Sequence, residues 1–437
     1  MIKTELLEKI ANRTLKVAVV GLGYVGLPLA VEKAGAGFRT VGFDIQSSKV
    51  DAVNRGENYI GDIVNERLRE LVDNGMLSAT SDFSFVRDAD FIAICVPTPI
   101  DEHEEPDISY VENSAREIAQ YLTAGTVVVL ESTTYPGTTE ELLRPILETS
   151  GLICGEDFYL GFSPERVDPG NLIYKTKNTP KVVGAIGADA AEVIAAVYRA
   201  VLDSEIHIVS SPAVAEMEKI LENTYRNVNI ALVNEFAMLC HKMNIDIWEV
   251  IDAAKTKPYG FQAFYPGPGA GGHCIPVDPN YLTWKAKEYQ FHTAMIETAM
   301  SINDNMPEYV VGRVMEILNQ ERKALNGSSV LVLGVSYKAN SDDYRESPAL
   351  PIIEYLQNRG ADVEYYDPLI PEYKYRNRIC RGLDRFPAEK LGSYDLVVLL
   401  SDNREFNHAA IARSARRIFD TRNAFAEIGE RDHIELL

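Results

Sequence analysis

Residues 15–26, LKVAVVGLGYVG, decide the fold of the first part of the chain. The apolar run 15–20 is typical of a strand that is buried on both faces of a sheet. It leads into glycines spaced as GxGxxG, which are followed by a helical pattern and then by a second strand pattern, RTVGFD (39–44). This order of strand, glycine turn, helix and strand predicts a Rossmann unit.

The glycines and the end of the second strand predict a dinucleotide site. Gly21 permits the tight turn, Gly23 lets the backbone approach a pyrophosphate, and Gly26 allows close packing of helix and strand. Asp44 is placed to bind a ribose 2′-hydroxyl and to repel a 2′-phosphate, which favours NAD over NADP. The alternative is a tight turn without a ligand, and the combined context favours the cofactor site.

Strand and helix patterns alternate again in the last third of the chain, where SVLVL (329–333) meets Gly334. Between the two regions, a long helical pattern runs from about residue 210 to 245. We therefore predict an α/β protein with two Rossmann-like doubly wound domains, joined by a helical middle domain with one long helix. The predicted domains are an NAD-binding domain (1–209), a helical central domain that carries Cys274 (210–318) and a C-terminal α/β domain (319–437).

Composition limits the class of protein. The chain has 437 residues, of which 46% are hydrophobic and 24% are charged, as in ordinary globular proteins. Its formal net charge of −21 argues against a nucleic-acid partner, because phosphate binding depends on Lys and Arg. No stretch approaches the roughly 18 apolar residues of a membrane span, and the first residues do not resemble a secretory signal. The five scattered cysteines favour a reducing cytoplasm over a disulfide framework.

The middle region contains two predicted helix starts. Ser211 is a good N-cap, and Pro212 suits the first position of the long helix. The stretch KPYGFQAFYPGPGAGG (257–272) is too rich in Gly and Pro for a helix or a central strand. After it we predict a helix with Asp278 as its N-cap and Pro279 at its first position.

Cys274 stands in the stretch GAGGHCIPVDP (269–279), where a nucleophile, a metal ligand and a small filler are the three options. Cys95 lies in an apolar strand pattern and is predicted to be buried and inert, whereas Cys274 is surrounded by glycine and proline. A thiol near a helix start is well placed to attack a carbonyl. Zinc is disfavoured because further ligands are missing at the usual spacings. His273 is disfavoured as the base because adjacent side chains rarely point together.

Three polar clusters are candidates for a substrate site. They are ESTTYPGTT (131–139), GFSPERVDPG (161–170), and Lys219 with Asn223, which share one face of the long helix. Each also has a purely structural interpretation. Thr133 could simply cap a helix, Glu165 could be a solvated loop acid, and Lys219 could belong to an exposed charged face of the helix.

Six segments in order resemble those of the UDP-sugar 6-dehydrogenases, the family that contains UDP-glucose dehydrogenase and the UDP-N-acetylhexosamine 6-dehydrogenases. The segments are GLGYVG (21–26), CVPTP (95–99), SPER (163–166), AEMEKILENTYR (215–226), PGPGAGGHCIPVDP (266–279) and GVSYKANSDDYRES (334–347). The resemblance covers nearly the whole chain, and six ordered motifs are far more specific than any one of them.

The resemblance implies a four-electron oxidation that uses two NAD⁺. The C6 alcohol of the sugar becomes an aldehyde, and the thiolate of Cys274 adds to it. A second hydride then leaves to give a thioester, and water releases the uronate. The implied roles are oxyanion stabilisation for Lys219, substrate orientation for Asn223, support of proton transfer for Asp278, thioester hydrolysis for Glu165 and placement of the water for Thr133.

The same resemblance implies which residues bind the ligands, with the UDP-sugar assigned to the C-terminal domain and no metal. The implied cofactor contacts are Gly21, Gly23, Tyr24, Val25, Gly26, Asp44, Lys49, Pro97, Thr98, Thr133 and Arg345. The implied substrate contacts are Glu165, Arg166, Lys219, Asn223, Phe264, Tyr265, Pro266, Gly267, Gly269, Gly271, Lys338 and Arg422.

Departures from the family pattern bear on the identity of the sugar. Pro258-Tyr259-Gly260 stands where UDP-glucose dehydrogenases carry Arg-Ile-Gly, Val277 replaces a lysine, and His273 replaces a small residue. The forms KPYGF and FYPGPG are more similar to those of enzymes acting on UDP-N-acetylglucosamine and UDP-N-acetylgalactosamine. UDP-N-acetylglucosamine is therefore the expected substrate, with UDP-N-acetylmannosamine, UDP-N-acetylgalactosamine and UDP-glucose as alternatives.

Two other functions stay open from the sequence. A two-electron dehydrogenase of the hydroxyacid type would not need Cys274, and a nucleotide-sugar-binding protein would not turn over at all. Apolar residues such as Leu221 and Leu232 lie on more than one stripe of the long helix, which predicts a homodimer or a larger homo-oligomer. The alternative is that neighbouring domains cover them.

Overall fold

The computed structural model describes residues 2–61, 63–101, 103–167, 171, 173–272 and 274–437. The chain divides into two units, of which the first comprises Met1–Glu222 and Asn280–Phe291 and the second Asn223–Pro279 and His292–Leu437. Two helices contribute residues to both units, Pro212–Met243 and Cys274–Ala286. The three-domain boundaries given above stay a prediction.

The first unit is built on a sheet that has eight strands within the described residues, in the order β3-β2-β1-β4-β5-β6-β7-β8. Neighbouring strands are parallel except β6 and β7, which are antiparallel. The first six strands follow the order of a doubly wound dinucleotide-binding sheet. The strands are β1 (Val17–Val20), β2 (Thr40–Phe43), β3 (Leu77–Thr80), β4 (Phe91–Ile94), β5 (Val127–Leu130), β6 (Tyr159–Phe162), β7 (Lys181–Ala185) and β8 (Ile206–Val209).

Helices cover both faces of this sheet, so successive residues of its central strands enter two different cores. Val127 and Val129 of β5 pack into one core, and Val128 and Leu130 pack into the other. The helices are α1 (Ile2–Ala11), α2 (Gly26–Gly35), α3 (Ser47–Asn54), α4 (Asn65–Asp73), α5 (Ser109–Tyr121), α6 (Arg144–Leu147, after the π-helical Thr138–Leu143) and α7 (Ala188–Arg199). Single 3₁₀ segments span Phe83–Asp88, Glu148–Ser150 and Lys287–Tyr289.

The second unit repeats the principle on a smaller parallel sheet, whose strand order is β10-β9-β13-β14-β15. Val330 and Val332 of β9 enter one core, and Leu331 and Leu333 enter the other. The strands are β9 (Ser329–Leu333), β10 (Asp362–Tyr366), the antiparallel hairpin β11 (Glu372–Tyr375) and β12 (Arg378–Arg381), β13 (Leu396–Leu399), β14 (Ile418–Asp420) and β15 (Ile434–Leu436).

The remaining helices include the long ones predicted for the middle of the chain. They are α8 (Pro212–Met243), α9 (Ile247–Ala254), α10 (Cys274–Ala286), α11 (Ala294–Gln320), α12 (Ala349–Asn358) and α13 (His408–Ser414), with a 3₁₀ segment at Ala388–Ser393. None of the described helices is both long and apolar enough to cross a membrane. The α/β fold class is confirmed, and beside the predicted long helix α8 the structure has a second long one, α11.

The two predicted helix starts have different outcomes. Helix α8 begins at Pro212 as predicted, and the Ser211 hydroxyl accepts from the N–H of Val214. The second prediction is wrong, because α10 begins at Cys274 and contains Pro279, so Asp278 is not its N-cap.

The reason for this error is a hydrogen bond that replaces the one Pro279 cannot make. A proline inside a helix leaves the carbonyl four residues earlier without its N–H donor. That carbonyl belongs to Ile275, and the side-chain amide of Asn227 donates to it at 2.9 Å. The helix can therefore start one turn earlier than the proline suggests.

Lys33 of α2 is a fully buried lysine in the core of the first unit. Its Nζ lies 4.4 Å from the ring centroid of Phe91 and 4.5 Å from that of Tyr198, and both rings attract the cation. Burial, partly offset by the charge of Glu131, lowers the pKa of Lys33 to about 8. The folded state therefore bears a cost for this charge at neutral pH.

We expect Lys33→Met to raise the free energy of unfolding by about 1–3 kcal/mol at pH 7, because it removes a buried charge and keeps the volume. Below pH 8 the lysine is charged in both states and the cost is fully present. Between pH 8 and 10.5 the folded wild type loses the proton first, so its stability rises and the advantage of the variant shrinks.

Denaturant unfolding from pH 7 to pH 10 measures both effects, with the exposed Lys287→Met as the matched control. A variant that is less stable than the wild type at pH 7 would show that the contacts of Lys33 with the two rings outweigh its burial.

Candidate active site

The turn after β1 has the geometry that a dinucleotide site requires. Gly21 has a φ of +93°, and a Cβ there would lie 2.5 Å from the carbonyl oxygen of Cys95. A Cβ on Gly26 would lie 1.8 Å from the carbonyl oxygen of Gly21, so the helix can start this close to the strand only with glycine. A Cβ on Gly23 would have no heavy atom within 4 Å, which leaves that side of the backbone open. These features fit a pyrophosphate at the start of α2.

Asp44, directly after β2, is held against the same turn. One carboxylate oxygen accepts from the N–H of Leu22 at 3.0 Å and lies 3.4 Å from the Lys49 Nζ. The other accepts from the N–H of Gln46 at 2.9 Å. The carboxylate is therefore fixed beside the glycine turn, where its charge opposes a phosphate on the ribose.

The other predicted cofactor contacts of this unit lie around the same edge of the sheet. Tyr24 is exposed and Val25 half-buried in the turn, and Pro97 is exposed after β4. Thr98 is buried, and its carbonyl accepts from the Tyr281 hydroxyl at 2.8 Å. Thr133, after β5, is half-buried. Arg345, the last predicted contact, belongs to the second unit.

Glu165 follows β6 and is held from several sides. One oxygen accepts from the N–H groups of Arg166 and Val167, both at 2.9 Å, and the other lies 3.6 Å from the Lys181 Nζ. Burial alone would raise the pKa of Glu165, but Lys181, these N–H groups and Lys219 lower it. The side chain is 16% exposed, so it is an anion held near the surface rather than a solvated loop acid.

Lys219 of α8 is buried, with a relative exposure of 7%. Its Nζ donates to the backbone carbonyl of Glu165 at 2.7 Å. The interpretation of Lys219 as part of an exposed charged face is therefore wrong. The neighbouring acids bind elsewhere, since Glu216 accepts from the N–H groups of Gly137 and Thr139.

Arg166 has a set of acidic partners within the first unit. Its guanidinium forms an ion pair with Glu222 and lies 3.5 Å from Glu218. It also donates to the carbonyl of Pro180 at 3.0 Å. The resemblance implied a substrate contact for Arg166, and the structure gives it an internal role that ties the loop after β6 to α8.

In the second unit, Cys274 is exposed at the first residue of α10. One turn further along, Asp278 is buried, and its carboxylate accepts from the side-chain amide of Asn223 at 2.5 Å. The structure thus joins two of the predicted catalytic residues, Asn223 of α8 and Asp278 of α10, the helix that starts with the thiol. His273 lies outside the described residues.

The loop before Cys274 is packed so closely that glycine is needed. A Cβ on Gly267 would lie 2.6 Å from the Arg422 guanidinium, and a Cβ on Gly271 would lie 2.8 Å from the Tyr337 Cβ. Gly269 has a φ of +139° and a Cβ there would lie 3.1 Å from the Pro348 side chain. Arg422 is thereby brought next to the predicted substrate loop.

Aromatic contacts fix the start of this loop. Phe264 meets Tyr225 edge-on at 5.8 Å, and Tyr265 stacks on Trp248 at 5.9 Å. Pro266 is buried, whereas Tyr265 keeps one side exposed.

Arg422 itself is half-buried, and it donates to the carbonyl of Leu400 at 2.8 Å. Burial, partly offset by Asp420 and Asp402, lowers the pKa of Arg422 to about 10, which still leaves it charged at neutral pH. Lys338 and Arg345 belong to the segment after β9, and Arg345 forms a two-pronged ion pair with Asp343.

Sequence reasoning missed a row of buried asparagines that joins the substrate loop to the thiol-bearing helix. Asn234 accepts from the N–H of Gly267 at 3.0 Å and donates to Asn303 at 2.9 Å. Asn303 donates to the backbone carbonyl of Asn227 at 3.1 Å, and Asn227 binds the carbonyl of Ile275. The spacing of Asn227 and Asn234 along α8 resembles that of any polar helix face, and Asn303 lies on α11, so only burial identifies them.

Sequence reasoning also missed Lys181, which lies beside Glu165, and the pairing of Lys181 with Glu131. Lys181 forms an ion pair with Glu131 at 2.8 Å, and both side chains are almost completely buried. Lys181 stands at the start of an apolar strand, where spacing gives no signal of a role.

Comparison with known proteins gives the family. Residues 15–202, 213–305 and 331–427 match the NAD binding, central and UDP binding domains of the UDP-glucose/GDP-mannose dehydrogenase family. Protein CapL from Staphylococcus aureus is 40% identical, over 89% of this chain and 90% of that protein. UDP-N-acetyl-D-glucosamine 6-dehydrogenase from Pseudomonas aeruginosa is 37% identical, over 91% of this chain and 92% of the relative.

Among solved structures, that of UDP-D-ManNAc dehydrogenase from Pyrococcus horikoshii superimposes with a TM-score of 0.85. It is 34% identical, and the match covers 94% of this chain and 96% of the other. These matches confirm the resemblance and NAD as the cofactor. The chain therefore belongs to the UDP-glucose/GDP-mannose dehydrogenase family and is one of its NAD-dependent UDP-sugar dehydrogenases.

Proposed function

We propose that this enzyme oxidises the C6 hydroxymethyl group of a UDP-N-acetylhexosamine, and specifically of UDP-N-acetylglucosamine, to the uronate. Cys274 is the nucleophile, and the product is a precursor for polysaccharide or glycan synthesis. The observation that carries the proposal is the exposed thiol at the first residue of α10, one turn before the buried pair of Asp278 and Asn223.

The cofactor is NAD, which accepts a hydride from C6 in each of two oxidation steps when it is bound. The open backbone at Gly23 and the fixed carboxylate of Asp44 support contacts with its pyrophosphate and ribose. Overall, one alcohol, two NAD⁺ and one water give one carboxylate, two NADH and three protons.

The chain contributes the covalent part of the reaction. The Cys274 thiolate forms a C–S bond to the aldehyde carbon, and the oxygen takes up a proton to give a thiohemiacetal. Loss of the second hydride and of that proton leaves a thioester. Water then breaks the C–S bond, which releases the carboxylate and regenerates the thiol.

The start of α10 suits a nucleophilic thiol, because the positive end of the helix dipole favours negative charge. Asp278 accepts from Asn223 and so stays fixed within the same helix, one turn beyond the thiol. We assign Asn223 to orienting the sugar and Asp278 to proton transfer near the reacting oxygen.

Two residues of the first unit are assigned to the other steps. The buried cation of Lys219 stabilises the oxyanion of the tetrahedral intermediates. Glu165, held as an anion, accepts a proton from the attacking water, which Thr133 helps to place. Because its pKa is lowered, Glu165 is ionised, and this supports a role as a base rather than as an acid.

We assign the sugar from the positions at which this chain departs from the pattern of UDP-glucose dehydrogenases. The names of the relatives support an N-acetylhexosamine. One relative is a UDP-N-acetyl-D-glucosamine 6-dehydrogenase, and another of similar identity is a UDP-N-acetyl-D-mannosamine dehydrogenase. UDP-N-acetylmannosamine is therefore the first alternative, followed by UDP-N-acetylgalactosamine and UDP-glucose.

We expect the wild type to form two NADH per sugar with UDP-N-acetylglucosamine, and Cys274→Ala to form no uronate, because the thioester cannot be made. Cys274→Ser should slow uronate formation by roughly 10³-fold or more, since a serine hydroxyl is not ionised at neutral pH and is a weaker nucleophile than a thiolate. Absorbance at 340 nm with limiting sugar measures the ratio, and the buried Cys240→Ser serves as the control.

Each outcome decides between functions. Two NADH with another of the four UDP-sugars would keep the route and correct the sugar. One NADH per sugar, or full activity of Cys274→Ala, would contradict the thioester route and favour a two-electron oxidation.

We also infer a homodimer that forms through α8. Large apolar residues recur at three- and four-residue steps along one face of this helix and are exposed: Val214, Met217, Leu221, Tyr225, Leu232, Phe236, Leu239 and Met243. The opposite face is buried, at Ile220, Ala231 and Ala237 for example. An apolar stripe of this length on one helix is typical of a contact between subunits.

We expect Leu232→Glu combined with Phe236→Glu to halve the molecular mass in solution, because it places charge in the centre of this stripe. Sedimentation velocity measures the mass, with Lys242→Gln on the same helix as the control. A wild type that sediments as a monomer would contradict the inference.

A further inference from the structure

A buried ion network lies behind Glu165 in the first unit and has no place in the steps above. The Lys181 Nζ lies 2.8 Å from one oxygen of Glu131 and 3.6 Å from one oxygen of Glu165. It also donates to the carbonyl of Pro164 at 3.2 Å. The cation thus bridges two carboxylates that follow two neighbouring strands.

The sheet fixes Lys181 in this position. Strand β7 runs antiparallel to β6, so the first residue of β7 comes alongside the segment that leaves β6. The Ser163 hydroxyl donates to the carbonyl of Val182 at 2.7 Å and locks the two segments together. The side chain of Lys181 therefore approaches Glu165 from the interior of the unit.

Glu131 provides the counter-charge that lets Lys181 be buried. Its other oxygen accepts from the hydroxyl of Tyr198 at 2.5 Å, and its side chain is fully buried. A buried cation needs such a partner, because desolvation costs several kcal/mol for each ion. The ring of Tyr198 also faces the Nζ of Lys181, at 5.1 Å.

We propose that Lys181 is a positioning residue for thioester hydrolysis, which holds the Glu165 carboxylate in place through an ion pair balanced by Glu131. The inference rests on the proposed role of Glu165. It adds a residue that touches neither sugar nor cofactor and acts through Glu165 alone.

The charges around Glu165 agree with this assignment. The carboxylate is faced by Lys181 from β7, by Lys219 from α8 and by two backbone N–H groups of its own loop. Lys181 is the strongest of the influences that lower the pKa of Glu165 against the effect of burial. Lys181 is in turn faced by Glu131, Glu165 and Cys95, and Lys33 is a like charge that acts on it across the ring of Tyr198.

The test compares variants that change one charge or two. Lys181→Met removes the cation, and Lys181→Met with Glu131→Gln removes both charges of the ion pair. Glu131→Gln alone keeps the ion pair between Lys181 and Glu165, and Lys181→Arg keeps the positive charge. Lys177→Met, which removes an exposed lysine paired with Asp203, is the matched control.

Single-turnover experiments with UDP-N-acetylglucosamine and NAD⁺ separate NADH formation from release of the uronate. In the double variant we expect the rate of uronate release at pH 7 to fall by roughly 10²-fold relative to the rate of NADH formation. A factor of this size is the scale of general base catalysis. Without Lys181, burial raises the pKa of Glu165, so release should recover as the pH is raised towards 9.

Further variants separate this role from a merely structural one. Lys181→Arg and Glu131→Gln should keep the pH profile of the wild type, whereas Glu165→Gln should lose release at every pH. Thermal unfolding of each variant shows which of them fold, and any folded variant without Lys181 is sufficient for the test.

Uronate release that is unchanged, or reduced without a shift towards alkaline pH, in a folded variant would overturn the inference. If neither variant that lacks Lys181 folds, Lys181→Arg and Glu131→Gln decide the question. Both keep a cation beside Glu165, so loss of uronate release in both would also overturn the inference. A wild type that forms one NADH per sugar would instead refute the proposed function itself.

Discussion

Parallel pairing of β1 to β6 is the constraint on which the first unit depends. Because the strands run in one direction, the residues that follow them gather at one edge of the sheet. Gly21 follows β1, Asp44 follows β2, and Glu131 follows β5 at this edge. The same geometry that buries the apolar strands on both faces thus delivers glycine, carboxylate and hydroxyl groups to one place.

The carboxylates that gather at this edge need partners that stabilise their charge. Asp44 is held by backbone N–H groups near the surface, whereas Glu131 is fully buried and is paired with Lys181. The antiparallel β7 makes this pairing possible, since it brings a lysine to an edge where a parallel strand would end. Glu165 is more exposed than either of these carboxylates and is ionised, which is the state a base needs.

The sequence predicts the fold well, because long apolar runs and glycine turns have few alternative structures. It predicts contacts less well, because they depend on packing. The helix start at Asp278 was misjudged because the donor that compensates for Pro279 comes from Asn227 on a different helix. The burial of Lys219 was not predictable from a helix rich in glutamate, and the role of Lys181 depends on which strand is its neighbour.

The central claim is that a covalent sugar–enzyme thioester forms on Cys274, and mass spectrometry of the peptide that carries this residue tests it most directly. The Glu165→Gln variant is incubated with UDP-N-acetylglucosamine and NAD⁺, quenched in acid and digested. We expect the peptide that carries Cys274 to gain the mass of the nucleotide sugar less four hydrogen atoms, because two hydrides and two protons are lost when the thioester forms. A variant that reduces NAD⁺ while this peptide keeps its unmodified mass would contradict the account.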